Sequence, residues 1–187
     1  MKKKLCSNFL MTTLTLVLFS FYACSQESAP PEGKAEAVQE APTVQASLQG
    51  VEWMSMEEAL KAQAENPKPI FVDIYTDWCG WCKVMDKKTF SQAQVASYMN
   101  ERYYMVKFNA EKEAPIEMNG KKYELVNAGK RSIHTLAYAM LDGKMSYPSY
   151  VILDSELQRM GIMKGFKEPE AFLSSMEDYQ PKKHGVH

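Results

Sequence analysis

Two cysteines three residues apart, Cys79 and Cys82, stand where an apolar run ends and a helical pattern begins. The run Ile70-Phe71-Val72-Asp73-Ile74-Tyr75 has the length and content of a buried strand. Beyond the pair, Val84, Met85, Phe90, Val95, Tyr98 and Met99 recur at roughly helical spacing, which predicts a helix over 85–100 with a kink or fresh cap at Ser91. This placement restricts both fold and chemistry. A helix start leaves backbone N–H groups unpaired and carries the positive end of the helix dipole, so a thiol placed there ionises more readily. The thiolate, not the thiol, is the nucleophile.

Cysteine usage sharpens this. The 187 residues hold four cysteines: Cys6, Cys24, Cys79 and Cys82. Cys6 and Cys24 belong to an N-terminal region that is not expected to pack. A chain stapled by disulfides would carry more cysteines, spaced more widely. The remaining pair therefore reads as a reactive centre. Composition is that of a globular domain, 45% apolar and 24% charged, with a net charge of -1. Nothing in that balance points to nucleic acid.

Met1 to Lys4 is basic, and Leu10 to Tyr22 is apolar apart from small hydroxyls. Together they read as a signal peptide over 1–23. The run is too short to span a membrane as a stable helix. Phe21-Tyr22-Ala23-Cys24 resembles the lipobox of bacterial lipoproteins, with Phe21 where Leu is commoner. That resemblance implies lipidation of Cys24 and a chain anchored in a bacterial envelope, facing the periplasm, on the outer membrane in preference to the inner. The plainer reading is an ordinary signal peptide that leaves Cys24 as a loose thiol. Residues 24–48 are rich in Ala, Pro, Glu, Gln and Ser, without aromatics, and read as a tether. About 24 residues of flexible chain reach roughly 25–30 Å.

A domain is expected over 49–180, with a loose polar tail at 181–187. It opens with a short strand or turn near Val51-Glu52-Trp53. Ser55 and Glu58 then form a capping box for a helix over 56–65, which ends ahead of Asn66-Pro67. Tyr103 to Asn109 alternates and reads as a second central strand. Glu111 to Asn127 is polar, with Asn119-Gly120 as a hairpin turn. A helix is predicted over 132–141, closed by Asp142-Gly143. Strands are predicted over 149–154 and 157–162, and a last helix from Glu168-Pro169 to about Tyr179, burying Phe172, Leu173 and Met176. The fold class is thus α/β: a mixed central sheet flanked by helices on both faces, with a hairpin-plus-helix insertion before the strand at 149.

Three blocks in this order, Phe71 to Lys83, Val106 to Glu111 and Tyr147-Pro148, make residues 51–179 similar to thioredoxin-fold proteins. The resemblance is to the group that includes the C-terminal domain of DsbD-type electron carriers. It implies that Cys79 and Cys82 form a redox-active disulfide, with Cys79 the exposed nucleophile and Cys82 the buried resolving thiol. It also implies that Pro148 is cis, which leaves the Tyr147 backbone to pair with an extended substrate segment. Asp73 would exchange a proton with Cys82, and Lys107 would neighbour that acid. Inside an apolar strand Asp73 should be partly protonated at neutral pH. The plainer reading has Asp73 capping a loop and Lys107 solvated. Trp78 would pack over the loop, and Trp78, Gly80, Trp81, Tyr147 and Pro148 would meet the substrate. Trp81 stands where thioredoxin has proline, and residues 112–143 exceed a minimal thioredoxin. That excess reads either as part of a partner-docking surface or as cover for a sheet edge.

Other features carry less. His134 reads as a surface or packed histidine, and His184 and His187 lie in the tail. Thirteen methionines fall on predicted core faces, where Met fills gaps. Lys83, Lys87 and Lys88 read as a solvated helix face. No metal and no organic cofactor are expected. The resulting expectation is a monomeric protein-disulfide oxidoreductase, working as a reductase, with protein disulfides as substrates and a membrane electron donor. The alternatives are an oxidase or isomerase at the same site, or a thioredoxin-like binding module without turnover.

Overall fold

The computed structural model describes residues 50–180. The segments read as signal peptide, as tether with Cys24 and as tail lie outside the described residues.

Five strands form the central sheet: β1 (Trp53–Met54), β2 (Ile70–Tyr75), β3 (Tyr104–Asn109), β8 (Ser149–Leu153) and β9 (Arg159–Lys164). Their spatial order is β1-β3-β2-β8-β9. β1 and β2 run parallel to β3, β8 pairs antiparallel with β2, and β9 pairs antiparallel with β8. Parallel neighbours need a crossover, and helices supply it. α1 (Met56–Glu65) begins at the capping box: Ser55 Oγ accepts from Glu58 N–H at 3.2 Å, and Glu58 accepts from Ser55 N–H at 2.8 Å. α2 (Gly80–Met85) runs into a π-helical turn, Asp86–Phe90, and α3 (Ala93–Arg102) follows after the break at Ser91-Gln92. The helix expected from 85 thus begins five residues earlier, at Gly80, and it breaks beside Ser91.

Alternation along β2 divides the core into two layers. Ile70, Val72 and Ile74 face α1 and α4 (Thr135–Met140), against Met56, Ala59, Leu136 and Ala137. Phe71 faces the opposite side, against Phe90, Val95, Met99 and α5 (Pro169–Glu177) with its Phe172 and Met176. Aromatic rings fill that second layer. Phe71 stacks on Tyr150 at 5.5 Å and meets Phe172 edge-on at 5.7 Å, and Phe90 meets Phe172 at 5.3 Å. Such pairs add about 0.5–1.5 kcal/mol each beyond the area they bury.

The insertion departs from expectation. It holds two hairpins, β4 (Ile116–Met118) with β5 (Lys121–Tyr123), and β6 (Leu125–Asn127) with β7 (Ser132–His134). Asn119 and Gly120 take positive φ in the first turn, as read from the sequence. The helix predicted from 132 starts only at Thr135, because Ser132-Ile133-His134 pairs with Leu125–Asn127. His134 caps that helix: its Nδ1 accepts from Leu136 N–H at 3.2 Å, so Nε2 carries the proton toward Ala114 O at 3.1 Å. It is a packed histidine, fully buried. The last strand lies two residues later than predicted. Leu157 sits in the turn with positive φ, where Asp154 accepts from the N–H groups of Glu156 and Gln158.

Phe172→Ala is expected to cost about 3–5 kcal/mol, and Ser55→Ala about 1 kcal/mol, in urea denaturation of the domain. Equal losses from the two would contradict the aromatic layer as the main source of stability.

Candidate functional site

The site lies where β2 hands over to α2. Cys79 N–H donates to Thr76 O at 3.1 Å, closing the loop between them. Asn109, at the end of β3, donates from Nδ2 to Asp77 Oδ1 at 2.8 Å and anchors the loop from the neighbouring strand. Lys112 pairs with the same carboxylate. Cys79 is the N-cap of α2: its Sγ accepts from Cys82 N–H at 3.1 Å. The two cysteines are joined as a disulfide, with Cα atoms 5.4 Å apart.

Burial of the pair differs from expectation. Cys79 is 4% exposed and Cys82 2%, so the sulfur read as an exposed nucleophile is nearly as covered as its partner. Its bulky neighbours take the solvent-facing positions instead. Trp78 is 54% exposed and Trp81 62%. Trp78 meets Tyr147 edge-on at 5.7 Å, and Trp81 lies 5.7 Å from Phe166. Trp81, Tyr147, Pro148, Gly165 and Phe166 line an open cavity of about 260 Å³. The Tyr147-Pro148 peptide is cis, and Gly165 N–H donates to Pro148 O at 2.9 Å.

Beneath the pair lies a charged cluster. The parallel register places Lys107 directly beside Asp73. Lys107 Nζ donates to Asp73 Oδ2 at 2.7 Å and also to Asp86, so the plainer reading of a solvated lysine does not hold. Asp86 follows Cys82 by one helical turn on the same helix face. The rings of Trp53, Tyr75 and Phe90 surround the ammonium at 4.6, 5.2 and 5.7 Å. Burial pushes the Asp73 carboxyl up to about 6, although the Lys107 charge and hydrogen bond pull it down and Asp86 adds to the rise. Roughly one such carboxyl in ten is protonated at pH 7. For Lys107, burial works against the charge, but Asp73 and Asp86 outweigh it and the net shift is upward. Asp73 Oδ1, Thr76 Oγ1 and Tyr150 OH are buried without a hydrogen-bond partner among the described residues. Tyr150 is paired with Asp73 across β8, and burial, with Asp73 second, raises its phenol strongly.

The structure joins Cys79 to Cys82, pairs Asp73 with Lys107, sets Trp78 against Tyr147, and places Trp81 with Tyr147 and Pro148 around one cavity. It adds Asp86, Glu111, Arg131 and Phe166. Asp86 had a signal in the sequence, its spacing of one turn from Cys82. Glu111 closes one of the three blocks that carry the resemblance, whereas Arg131 and Phe166 come from distant parts of the chain and left no signal.

Comparison with known proteins follows from this geometry. A family model named Thioredox_DsbH, described as a protein of unknown function, DUF255, matches residues 38–163. The chain belongs to the Thioredox_DsbH family. Among solved structures it is similar to a DsbH oxidoreductase, at 21% identity and a TM-score of 0.51, covering 76% of this chain and 91% of that one. It is also similar to a thioredoxin from Thermus thermophilus, at 16% identity and a TM-score of 0.52, covering 74% and 100%. These likenesses establish the thioredoxin fold. In sequence, 70 residues are 36% identical to the thiol:disulfide interchange protein DsbD of Vibrio vulnificus, covering 36% of this chain and 11% of that protein. The chain spans about a tenth of the length of the curated relatives it matches.

The sign of the pH effect follows from the raised Asp73 pKa. The folded protein binds more protons than the unfolded chain between about pH 4 and pH 6, so stability falls as pH rises through that window and levels off above it. Asp73→Asn is expected to remove this slope and to raise stability at pH 7 by roughly 2 kcal/mol. Urea midpoints from pH 4 to pH 8 measure both. A slope unchanged in the variant would assign the titration to another group.

Proposed function

We propose that this Thioredox_DsbH member is a thiol-disulfide oxidoreductase of the bacterial cell envelope, working as a reductase of protein disulfides. The observation that carries this reading is the Cys79–Cys82 disulfide at a helix N-terminus, with the buried Asp73–Lys107 pair beneath it. The reaction starts from the dithiol. Cys79, as thiolate, attacks one sulfur of a partner disulfide. An S–S bond forms between Cys79 and the partner while the partner's own S–S bond breaks, and its leaving thiolate takes up a proton. Asp73 accepts the proton of Cys82, and Lys107 steadies the carboxylate. The Cys82 thiolate then attacks Cys79 Sγ and the Cys79–partner S–S bond breaks; the partner's second sulfur leaves as a thiolate and takes the proton back, leaving the Cys79–Cys82 disulfide. Two electrons have passed to the partner.

The cis-Pro148 segment, together with Trp78, Gly80, Trp81 and Tyr147, would receive the partner, with the Tyr147 backbone pairing with an extended segment. The low exposure of Cys79 belongs to the oxidised form, in which it is bonded to Cys82 and awaits reduction by the donor. The reducing direction is favoured by the acid and lysine beneath Cys82, which resemble those of reducing family members. It requires an electron donor, and the DsbD likeness supports a membrane one. Lipidation at Cys24, with the tether at 24–48, would hold the domain at a membrane surface facing the periplasm. Among the described residues no helix is long and apolar enough to cross a membrane. The domain would act as a monomer.

Cys82→Ser is expected to accumulate mixed disulfides through Cys79, seen as reductant-sensitive bands on non-reducing gels. Their absence, together with no reduction of insulin by the wild type, would leave a binding module. A midpoint potential near -270 mV supports the reductase, and one near -120 mV would reverse the direction. Labelled palmitate should enter the wild type but not Cys24→Ala. If Cys24→Ala stays on the membrane, the lipid reading fails.

A further inference from the structure

Trp78 is half in water, yet it is held on three sides. Its Nε1 donates to Glu111 Oε2 at 3.0 Å. The Arg131 guanidinium lies 4.1 Å from the centre of its ring. Tyr147 meets its edge. Arg131 Nη1 also reaches Glu111 Oε1 at 3.4 Å, so the two charges that grip the indole pair with each other. Neither grip is local in sequence. Glu111 follows β3, where its N–H donates to Asn109 Oδ1 at 3.0 Å. Arg131 stands in the turn of the β6–β7 hairpin, fixed by Ala128 N–H donating to Arg131 O at 2.9 Å and Gly129 N–H donating to Asn127 Oδ1 at 3.1 Å. Residues 125–132 are all exposed, so burial does not account for the hairpin's sequence. Its contact with Trp78 joins it to the active-site loop.

An exposed side chain ordinarily keeps its rotamer freedom and loses it on binding. Here the indole, next to Cys79 in the chain, is already fixed against Tyr147, which also lines the cavity of Trp81 and Phe166. We propose that Glu111 and Arg131 are positioning residues that hold Trp78 as a standing wall of the substrate cleft, so that the β6–β7 hairpin sets affinity for the polypeptide partner. The occupant is an extended segment carrying the partner's disulfide and a bulky apolar side chain, which two aromatic walls favour over a polar one. The planar guanidinium matters, since it lies flat on a ring as a lysine ammonium does not. Glu111 keeps it there by balancing its charge. The partner's part in this rests on the oxidoreductase reading, whereas the clamp itself does not.

The test uses the full chain and the variants Arg131→Ala, Glu111→Ala and Arg131→Lys, with insulin as the disulfide probe. Freeing the indole should raise KM about three- to tenfold in the two alanine variants, well beyond any fall in kcat. Arg131→Lys should recover only part of the loss. The Cys79–Cys82 midpoint potential should not move. The Trp78 indole N–H resonance, assigned with Trp78→Phe, should shift and exchange faster in both alanine variants. Unchanged KM, or a shift in potential that accounts for the rate, would overturn the proposal. If the wild type does not reduce insulin, the oxidoreductase reading fails, and the clamp is decided by the indole resonance alone. A resonance unmoved in both alanine variants rules it out.

Discussion

Lys107 holds the site together. It is the one cation set between a carboxylate inside the sheet, Asp73, and a carboxylate on the helix above, Asp86. A lone charge at the depth of Asp73 would be costly to keep ionised. With Lys107 beside it, the carboxylate stays mostly ionised near neutrality but remains easy to protonate. The parallel pairing of β2 with β3 makes this possible, because it puts both residues on the same face in register. The three surrounding rings let the ammonium keep its charge where water is scarce. Chain geometry, burial and proton affinity are thus set by one contact.

The same face explains why the helix bearing the cysteines is well seated. Phe71, Tyr150, Phe90 and Phe172 pack as a ring cluster next to the charged one. An aromatic layer has few rotamers and little free volume, so it holds α2 and its π-helical extension at fixed height over β2. The π-helical turn at Asp86–Phe90 lies where the helix must serve both layers. Asp86 reaches Lys107, and four residues later Phe90 enters the aromatic cluster.

The sequence was most readable where local rules and tertiary packing agree. The capping box at Ser55, the strand at Ile70–Tyr75, the turn at Asn119-Gly120 and the Asp73–Lys107 pair all appear as read. It was least readable where a long-range pairing overrode a local pattern. Ser132-Ile133-His134 fits a helical stripe, but a strand partner seven residues back captures it, and His134 serves as the cap instead. Leu157 was read as strand, yet the Asp154 side chain ties the turn around it. Exposure at the site was misread for a related reason. Periodicity says which face of an element is covered by its own layer, not that Trp78 would be held upright by a residue 53 positions away.

This contrast bears on how a shared fold acquires a particular partner. The parts that were legible, β2, α2, β3 and the proline segment, carry the disulfide, the buried ion pair and the cis peptide. The insertion was less legible, and it meets the active-site loop at two points, Arg131 on Trp78 and Lys112 on Asp77. A segment that contacts the loop through exposed side chains can vary without disturbing the buried charges. Two demands on the chain are thereby separated. The ion pair under the cysteines needs fixed geometry and low dielectric, both provided by the sheet. Recognition needs a surface that can change, and the hairpins lie outside the central sheet. Glu111, directly after β3, is where the two demands meet, since one strand carries Lys107 to the buried carboxylate and leads on to the residue that fixes the wall.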